Sequence, residues 1–167
     1  MSTANTYNDF VYHLSNVTAV PLPSIAQCDE RWMDSEGDRD FSELKGLVFK
    51  AIAYDKDREV LYFITDTGRY FALEHDQDCC EKVWLESVTG DLLDLLGTPI
   101  LLAEESTNSG LPPPEDEFCD DSHTWTFYKL ATKNGYVDLR WFGTSNGCYA
   151  EDVVLREITT PTEGLAV

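Results

Sequence analysis

The dipeptide Asn134-Gly135 is the local sequence feature that most strongly constrains the fold of this chain. It separates two runs rich in aromatic and β-branched residues, 123–133 and 136–144. Asn-Gly adopts positive φ angles at low cost and therefore favours a type I′ turn between antiparallel strands. The sequence predicts a β-hairpin with this dipeptide at its tip, and with Trp125 and Trp141 in its two strands.

Further strand patterns lie on both sides of the hairpin. Residues 46–54, 59–66, 69–74, 82–88, 100–103 and 149–158 are short runs of apolar and β-branched residues, which are typical of strands. Residues 91–96 are a short helical candidate closed by Gly97 and Pro99. Residues 104–122 contain three successive prolines and are predicted to be a long loop. We therefore expect an α+β fold, a mostly antiparallel β-sheet of about seven to eight strands with one or two short helices.

The chain length suits one domain, because 167 residues can bury a stable core without help from disulfides or bound metals. We predict an N-terminal extension over 1–40, partly ordered, a β-rich core over 41–158 and a C-terminal tail over 159–167. The extension lacks sustained periodicity, and Pro21 and Pro23 interrupt its only apolar stretch.

The charge balance limits the partners of the chain. There are 31 Asp and Glu against 12 Lys and Arg, a formal net charge of −19. This charge opposes direct contact with nucleic-acid phosphates or anionic lipid and favours basic surfaces. Acidity also keeps a protein soluble, and solubility alone is an equally good explanation.

The acids are concentrated in one window. Ten of them, and no Lys or Arg, lie between Lys82 and Lys129. Carboxylates in such an array can imitate phosphates and occupy the basic groove of a protein that handles nucleic acid. A solvated acidic loop is the simpler alternative. The predicted partner-binding residues are Glu104, Glu105, Glu115, Asp116, Glu117, Asp120 and Asp121.

The segment 75–81, HDQDCCE, is the densest cluster of potentially reactive side chains. His75 and Cys79 are four residues apart, as are Cys119 and His123, and these four side chains could form a tetrahedral zinc site. The spacing does not match a common zinc finger, and the alternative is that His75 and one cysteine pack inward. A thiolate nucleophile at Cys79 or Cys80 is a further option, but the neighbouring carboxylates oppose it because they raise a thiol pKa.

Several patterns are absent. The sequence has no G-x-S-x-G, Walker, Rossmann glycine or H-E-x-x-H pattern, which disfavours an enzyme. The five cysteines show no framework spacing, so no disulfide is predicted. The sequence also lacks a signal-peptide pattern and an apolar run long enough to span a membrane, and a reducing cytoplasm fits best. No cofactor is expected unless the zinc alternative holds.

Five short motifs carry a family resemblance. They are HDQDCCE at 75–81, Gly90-Asp91, Ala103-Glu104-Glu105, TWTFYK at 124–129 and Ser145-Asn146-Gly147. Over about two thirds of its length the chain resembles an uncharacterised family of small proteins common in bacteriophage genomes. Cys148-Tyr149-Ala150-Glu151 departs from the Tyr-Tyr-Ser-Glu-like run of that family. The resemblance implies a phage source and location in the host cytoplasm, and it implies no particular activity.

The leading hypothesis combines the resemblance with the charge. We expect a phage-encoded acidic accessory protein that is not an enzyme, and that binds and inhibits a basic host or anti-phage defence protein acting on nucleic acid. The alternative is a metal-binding or hydrolytic domain centred on residues 75–81. A third hypothesis is a minor virion or assembly protein. Direct contact with nucleic acid or a membrane is not expected.

Overall fold

Two antiparallel β-sheets make up the described part of the molecule. A computed structural model describes residues 10–13, 38–56, 58–109 and 122–158. The strands are β1 (Phe10–His13), β2 (Asp38–Arg39), β3 (Phe49–Asp55), β4 (Val60–Thr65), β5 (Tyr70–Glu74), β6 (Lys82–Thr89), β7 (Leu102–Asn108), β8 (Ser122–Ala131), β9 (Tyr136–Ser145) and β10 (Val154–Ile158). The first sheet has the order β1-β3-β4-β5-β10-β2, and the second has the order β6-β9-β8-β7.

Helical structure in the described ranges consists of two 3-10 turns, η1 (Phe41–Leu44) and η2 (Leu92–Leu95). Asp40 and Asp91 cap them, since their side chains accept hydrogen bonds from backbone N–H groups two residues later, at 2.8 and 2.9 Å. The α+β prediction is therefore only partly right. The mostly antiparallel sheet is confirmed, but the described chain is closer to all-β, because the predicted helix at 91–96 is a single 3-10 turn and the other helical element, η1, is also a single turn.

One apolar core joins the two sheets. Phe63 and Leu73 from the first sheet, and Tyr128 and Trp141 from the second, are almost fully buried in the same cluster. Every residue of β4 is buried, so both faces of this strand are covered. Its uninterrupted apolar sequence follows from that position, because a strand covered on both faces need not alternate with polar residues.

The predicted hairpin is confirmed, and its strands β8 and β9 pair over ten residues on each side. The predicted type I′ turn is wrong. The backbone N–H of Thr132 donates to the carbonyl of Gly135 at 2.9 Å, so Lys133 and Asn134 are the central residues of the turn. Neither of them has a positive φ angle. Asn134-Gly135 thus marks the correct turn, but the central pair lies one residue earlier than predicted.

Gly135 is required by close packing rather than by a positive φ angle. A Cβ atom at this position would clash with the Asp94 carboxylate and lie 3.0 Å from its Cγ. The hydroxyl of Thr132 also donates to the carbonyl of Asp94 at 2.5 Å. These contacts join the hairpin tip to η2.

Several elements differ from the predicted boundaries, among them β10, which begins at Val154 rather than at residue 149. Strand β7 continues to Asn108, so the first part of the predicted loop is the edge strand of the second sheet. Strands β1 and β2, from the predicted extension, pair with β3 and β10 of the core. The predicted tail over 159–167 lies outside the described residues.

Candidate functional site

The buried carboxylate of Glu81 organises the segment 75–81, which we call the HDQDCCE loop. The Glu81 side chain is 1% exposed. It accepts hydrogen bonds from the backbone N–H groups of Asp78, Cys79 and Cys80, the latter two at 3.0 Å. The side chain of Gln77 donates to the Glu81 carbonyl at 2.9 Å. Three converging donors hold the loop in a tight turn around one carboxylate.

Burial and hydrogen bonding act in opposite directions on the pKa of Glu81. Burial would raise it, but the backbone N–H donors of the loop, together with His75, outweigh burial and lower the pKa to about 2. The carboxylate is therefore ionised throughout the neutral range. Glu81 is a structural anchor and is poorly suited to move protons near neutral pH.

His75 connects the loop to the segment before β10. Its Nδ1 lies 2.7 Å from the carbonyl oxygen of Asp152, and its Nε2 lies 3.2 Å from Oε1 of Glu81. Both ring nitrogens of His75 are therefore in contact with oxygen atoms of the fold.

Cys79 and Cys80 are joined as a vicinal disulfide on the exposed side of the loop. The prediction that the chain has no disulfide is therefore wrong. The prediction rested on framework spacing between distant cysteines, which does not reveal a bond between sequence neighbours. Cys148 is an exposed free thiol.

Arg156 on β10 is a buried cation that the sequence analysis did not identify. Its guanidinium donates two hydrogen bonds to the Asp76 carboxylate, one to Asp38 at 2.8 Å and one to Glu74 at 3.4 Å. Arg156 lowers the pKa of Asp76. The pKa of Glu74 is raised, because burial outweighs the attraction of Arg156. The available signal was a single cation inside the apolar run 153–158.

A second buried carboxylate, Glu151, holds the turn after β9. It accepts hydrogen bonds from the hydroxyl of Ser145 at 2.7 Å and from that of Thr124 at 2.8 Å. Gly143 permits this approach, because a Cβ atom there would lie 2.8 Å from the Cβ of Glu151. Members of the Ser145-Asn146-Gly147 and TWTFYK motifs therefore have structural roles.

The predicted zinc ligands are placed as follows. His75 is bonded at both nitrogens, and Cys79 is paired with Cys80. His123 is the second residue of β8, and its ring lies 5.5 Å from that of Trp125. Within the described ranges no group of three or more His, Cys, Asp or Glu side chains is arranged to hold a metal. Zinc binding would have to break the contacts of His75 and the disulfide. Cys119 lies outside the described residues, so the zinc site stays a prediction.

Glu104 and Glu105, two of the predicted partner-binding residues, are exposed on the edge strand β7. Neither forms an ion pair within the described ranges. Partial burial raises the pKa of Glu105, and the carboxylates of Asp40 and Asp152 raise it further. The contribution of these two carboxylates, although smaller than that of burial, shows that the charges neighbouring Glu105 are negative. The other five residues, Glu115, Asp116, Glu117, Asp120 and Asp121, lie outside the described residues.

The outer face of the second sheet, opposite the shared core, carries an aromatic cluster of Trp84, Trp125 and Phe142 with ring centroids 4.8 and 5.0 Å apart. Trp125 and Phe127 share this outer face, since they are two residues apart on β8, and Trp125 is buried there. Tyr128 and Leu130 point the other way, into the core between the sheets.

The two sheets and their buried carboxylate anchors define an all-β domain in which the reactive-looking side chains are tied into the fold. The chain belongs to the family described as a domain of unknown function, DUF7448, whose model matches residues 45–155. This range contains β3–β9 and the start of β10. No curated protein and no solved structure matches the chain. Among the described residues, no helix has the length and apolar character needed to cross a membrane.

Proposed function

We propose that this protein is a phage-encoded acidic accessory protein that binds and inhibits a basic host or anti-phage defence protein acting on nucleic acid. One contrast supports the proposal. The side chains of His75 and Glu81 are committed to bonds within the fold, whereas Glu104 and Glu105 remain exposed on an edge strand without an ion pair in the described ranges. The carboxylates of β7 are therefore better placed to bind a partner than the side chains of the HDQDCCE loop are to react with a substrate.

The electrostatics of β7 favour a cationic partner. The chain carries a net charge of −19, and Glu105 lies close enough to Asp40 and Asp152 for their charges to raise its pKa. A basic protein would relieve this repulsion on binding. Attraction of this kind acts over about 10 Å at moderate ionic strength and mainly increases the association rate.

The alternative, a metal-binding or hydrolytic domain, requires His75 or Cys79 to leave their present partners. The third hypothesis, a minor virion or assembly protein, predicts that the chain sediments with purified virions. No contact in the described ranges favours either of them, and both stay predictions.

The partner can be captured from lysate of infected host cells after nuclease treatment, which removes bridging nucleic acid. The test then uses the purified partner, and it measures the association rate and the inhibition of its activity. We expect the association rate to fall about tenfold or more as salt rises from about 50 to about 500 mM. E104Q/E105Q should slow association several-fold and leave dissociation nearly unchanged. Extending the change to E115Q, D116N, D120N and D121N should remove most of the inhibition.

A matched control separates local charge from net charge. D66N/D78N removes the same number of charges from exposed side chains elsewhere, and we expect an association rate within about twofold of the unchanged protein. A folded H75Q/C79S/C80S variant should inhibit fully. Full inhibition by the six-acid variant, or loss of inhibition by the folded loop variant, would overturn the proposal.

A further inference from the structure

Strand β7 is the last strand of the second sheet, and its outer backbone edge is open. The sheet has the order β6-β9-β8-β7, so β7 pairs on one side only, with β8. Residues 104–108 of this strand are all exposed. We infer that β7 accepts one further strand, an extended segment of the basic partner that carries two consecutive Lys or Arg residues. This inference rests on the proposed function and specifies how the partner is held.

The open edge offers unused backbone hydrogen-bonding groups. In an antiparallel pair, successive residues direct their N–H and C=O groups alternately towards the partner strand and away from it. Two of the four residues 104–107 therefore direct both groups away from β8. Within the described part of the chain, no hydrogen bond uses these outward groups. A strand laid beside β7 would satisfy them, which is the mode of binding by which a peptide extends a sheet.

The opposite edge of the second sheet, β6, is partly closed by the rest of the fold. The backbone N–H of Leu85 donates to the Glu59 carboxylate at 3.1 Å, so this donor is already used. Val83 and Leu85 of β6 are also buried, whereas β7 is exposed from residue 104 onwards. A partner strand therefore meets the second sheet at β7 rather than at β6.

The side chains of β7 select a basic strand. Glu104 and Glu105 are consecutive, so they point to opposite faces of the sheet. On the face of Glu105, the carboxylates of Asp40 and Asp152 add further negative charge. Neighbouring side chains of opposite charge stabilise a pair of strands, and like charges destabilise it. Two consecutive Lys or Arg residues on the incoming strand would place one cation beside each glutamate, one on each face.

The same carboxylates oppose pairing between two copies of β7. Charged residues on an edge strand are a common means of preventing identical edges from associating. Two β7 strands side by side would bring the glutamates of both copies together without a cation, in a chain of net charge −19. Ser106 and Thr107 are small and polar, so they leave room for a strand beside them. The edge thus disfavours a second copy and favours a basic segment.

Peptide binding to the full chain, followed by fluorescence anisotropy, tests the inference. The probe is acetyl-TVTKKTVT-amide with a fluorescent label, because Thr and Val favour the extended conformation. Its matched control carries methyl groups on the backbone nitrogens of both lysines, which keeps the charge but blocks pairing along both edges of the peptide. We expect a dissociation constant on the order of 100 µM for the probe. The methylated peptide should bind at least about tenfold more weakly.

Two measurements on the protein locate the peptide. Amide hydrogen exchange, followed by NMR, should slow at least about tenfold at two alternate residues of 104–107 when the probe is bound. E104Q/E105Q should bind the probe about fivefold more weakly, because both cross-strand charge pairs are lost. D66N/D78N removes the same number of charges from exposed positions elsewhere and should bind within about twofold of the unchanged protein.

The outcomes separate this inference from the proposed function. Equal binding of the two peptides would overturn the inference, because charge alone would then hold a basic partner, and the proposed function would stand. Failure of the probe to bind would also overturn it. Slow exchange at all four residues 104–107 without peptide would do the same, because the edge would already be covered, by a second copy if the protein is then a dimer. The proposed function fails on a different result, full inhibition of the captured partner by the six-acid variant.

Discussion

The Glu81→Gln substitution tests whether a buried carboxylate anchors the HDQDCCE loop. Glutamine keeps one carbonyl oxygen, but it places an NH2 group where the carboxylate accepted a backbone hydrogen bond. The remaining N–H groups would be buried without a charged acceptor. We therefore expect a folded protein with a markedly lower free energy of unfolding.

The pKa of Glu81 gives the magnitude. Folding lowers this pKa from the ordinary 4.5 to about 2. At about 1.4 kcal/mol per pKa unit, the ionised form contributes about 3 kcal/mol to stability. Because the folded-state pKa is depressed, this contribution is complete above pH 4.5 and is lost as the pH falls towards 2. The difference in stability between the two proteins should therefore shrink over the range from about pH 5 to about pH 2.

Urea denaturation followed by tryptophan fluorescence at pH 7, 4 and 2.5 measures this difference. E104Q is the control, because it also removes one carboxylate but from an exposed side chain, and it should stay within about 0.5 kcal/mol of the unchanged protein at each pH. The reasoning fails if E81Q costs less than about 1 kcal/mol at pH 7, or if its cost is the same at pH 7 and pH 2.5.

Three other substitutions test contacts of the fold by the same denaturation assay. R156M leaves partly buried Glu74 without its cation and should lower the free energy of unfolding by about 3 kcal/mol or more. R156K keeps the charge and should cost less, since only the paired hydrogen bonds to Asp76 are lost; equal costs would contradict this. G135A should lower the free energy of unfolding by about 1–3 kcal/mol, because its Cβ would clash with the Asp94 carboxylate, and the G135A/D94A double variant should recover most of this loss. Additive losses would show that the clash is not the cause. W125F loses the hydrogen bond to Glu86 and should cost about 1–2 kcal/mol, an effect that should vanish in an E86A background.

Local patterns predicted most of the strands. The hairpin of β8 and β9 follows from the turn residues and the two flanking runs, and β4, β5 and β6 lie within about two residues of the predicted runs. The turn type was wrong because it depends on which backbone groups pair, and the contact between Gly135 and Asp94 is long-range information. The extension of β7 was missed because Glu104–Asn108 is polar on both faces, as an edge strand can be.

The candidate site was harder to predict than the fold. The sequence drew attention to residues 75–81 correctly, but residue type alone does not distinguish a carboxylate that accepts backbone N–H bonds from one that binds a ligand. The residues that bond to the loop from outside it are distant in sequence. Asp152, the partner of His75, and Arg156, the partner of Asp76, lie about 70–80 residues further along the chain. The placement of Trp125 on the outer face likewise depends on the register with β9 and on the direction in which the second sheet faces the first.

The lowered pKa of Glu81 indicates which part of the molecule is suited to catalysis and which to binding. A catalytic acid or base is most effective when its pKa is close to the working pH, so an active site tends to raise the pKa of a carboxyl group towards neutrality. Here the pKa of the most buried carboxylate of the loop has moved in the opposite direction, to about 2. The ring nitrogens of its neighbour His75 are both in contact with oxygen atoms of the fold, the Asp152 carbonyl and Glu81. Chemistry in this loop would have to dismantle the bonds that form it. Recognition by exposed side chains on β7 carries no such cost, since those side chains can meet a ligand without breaking the core.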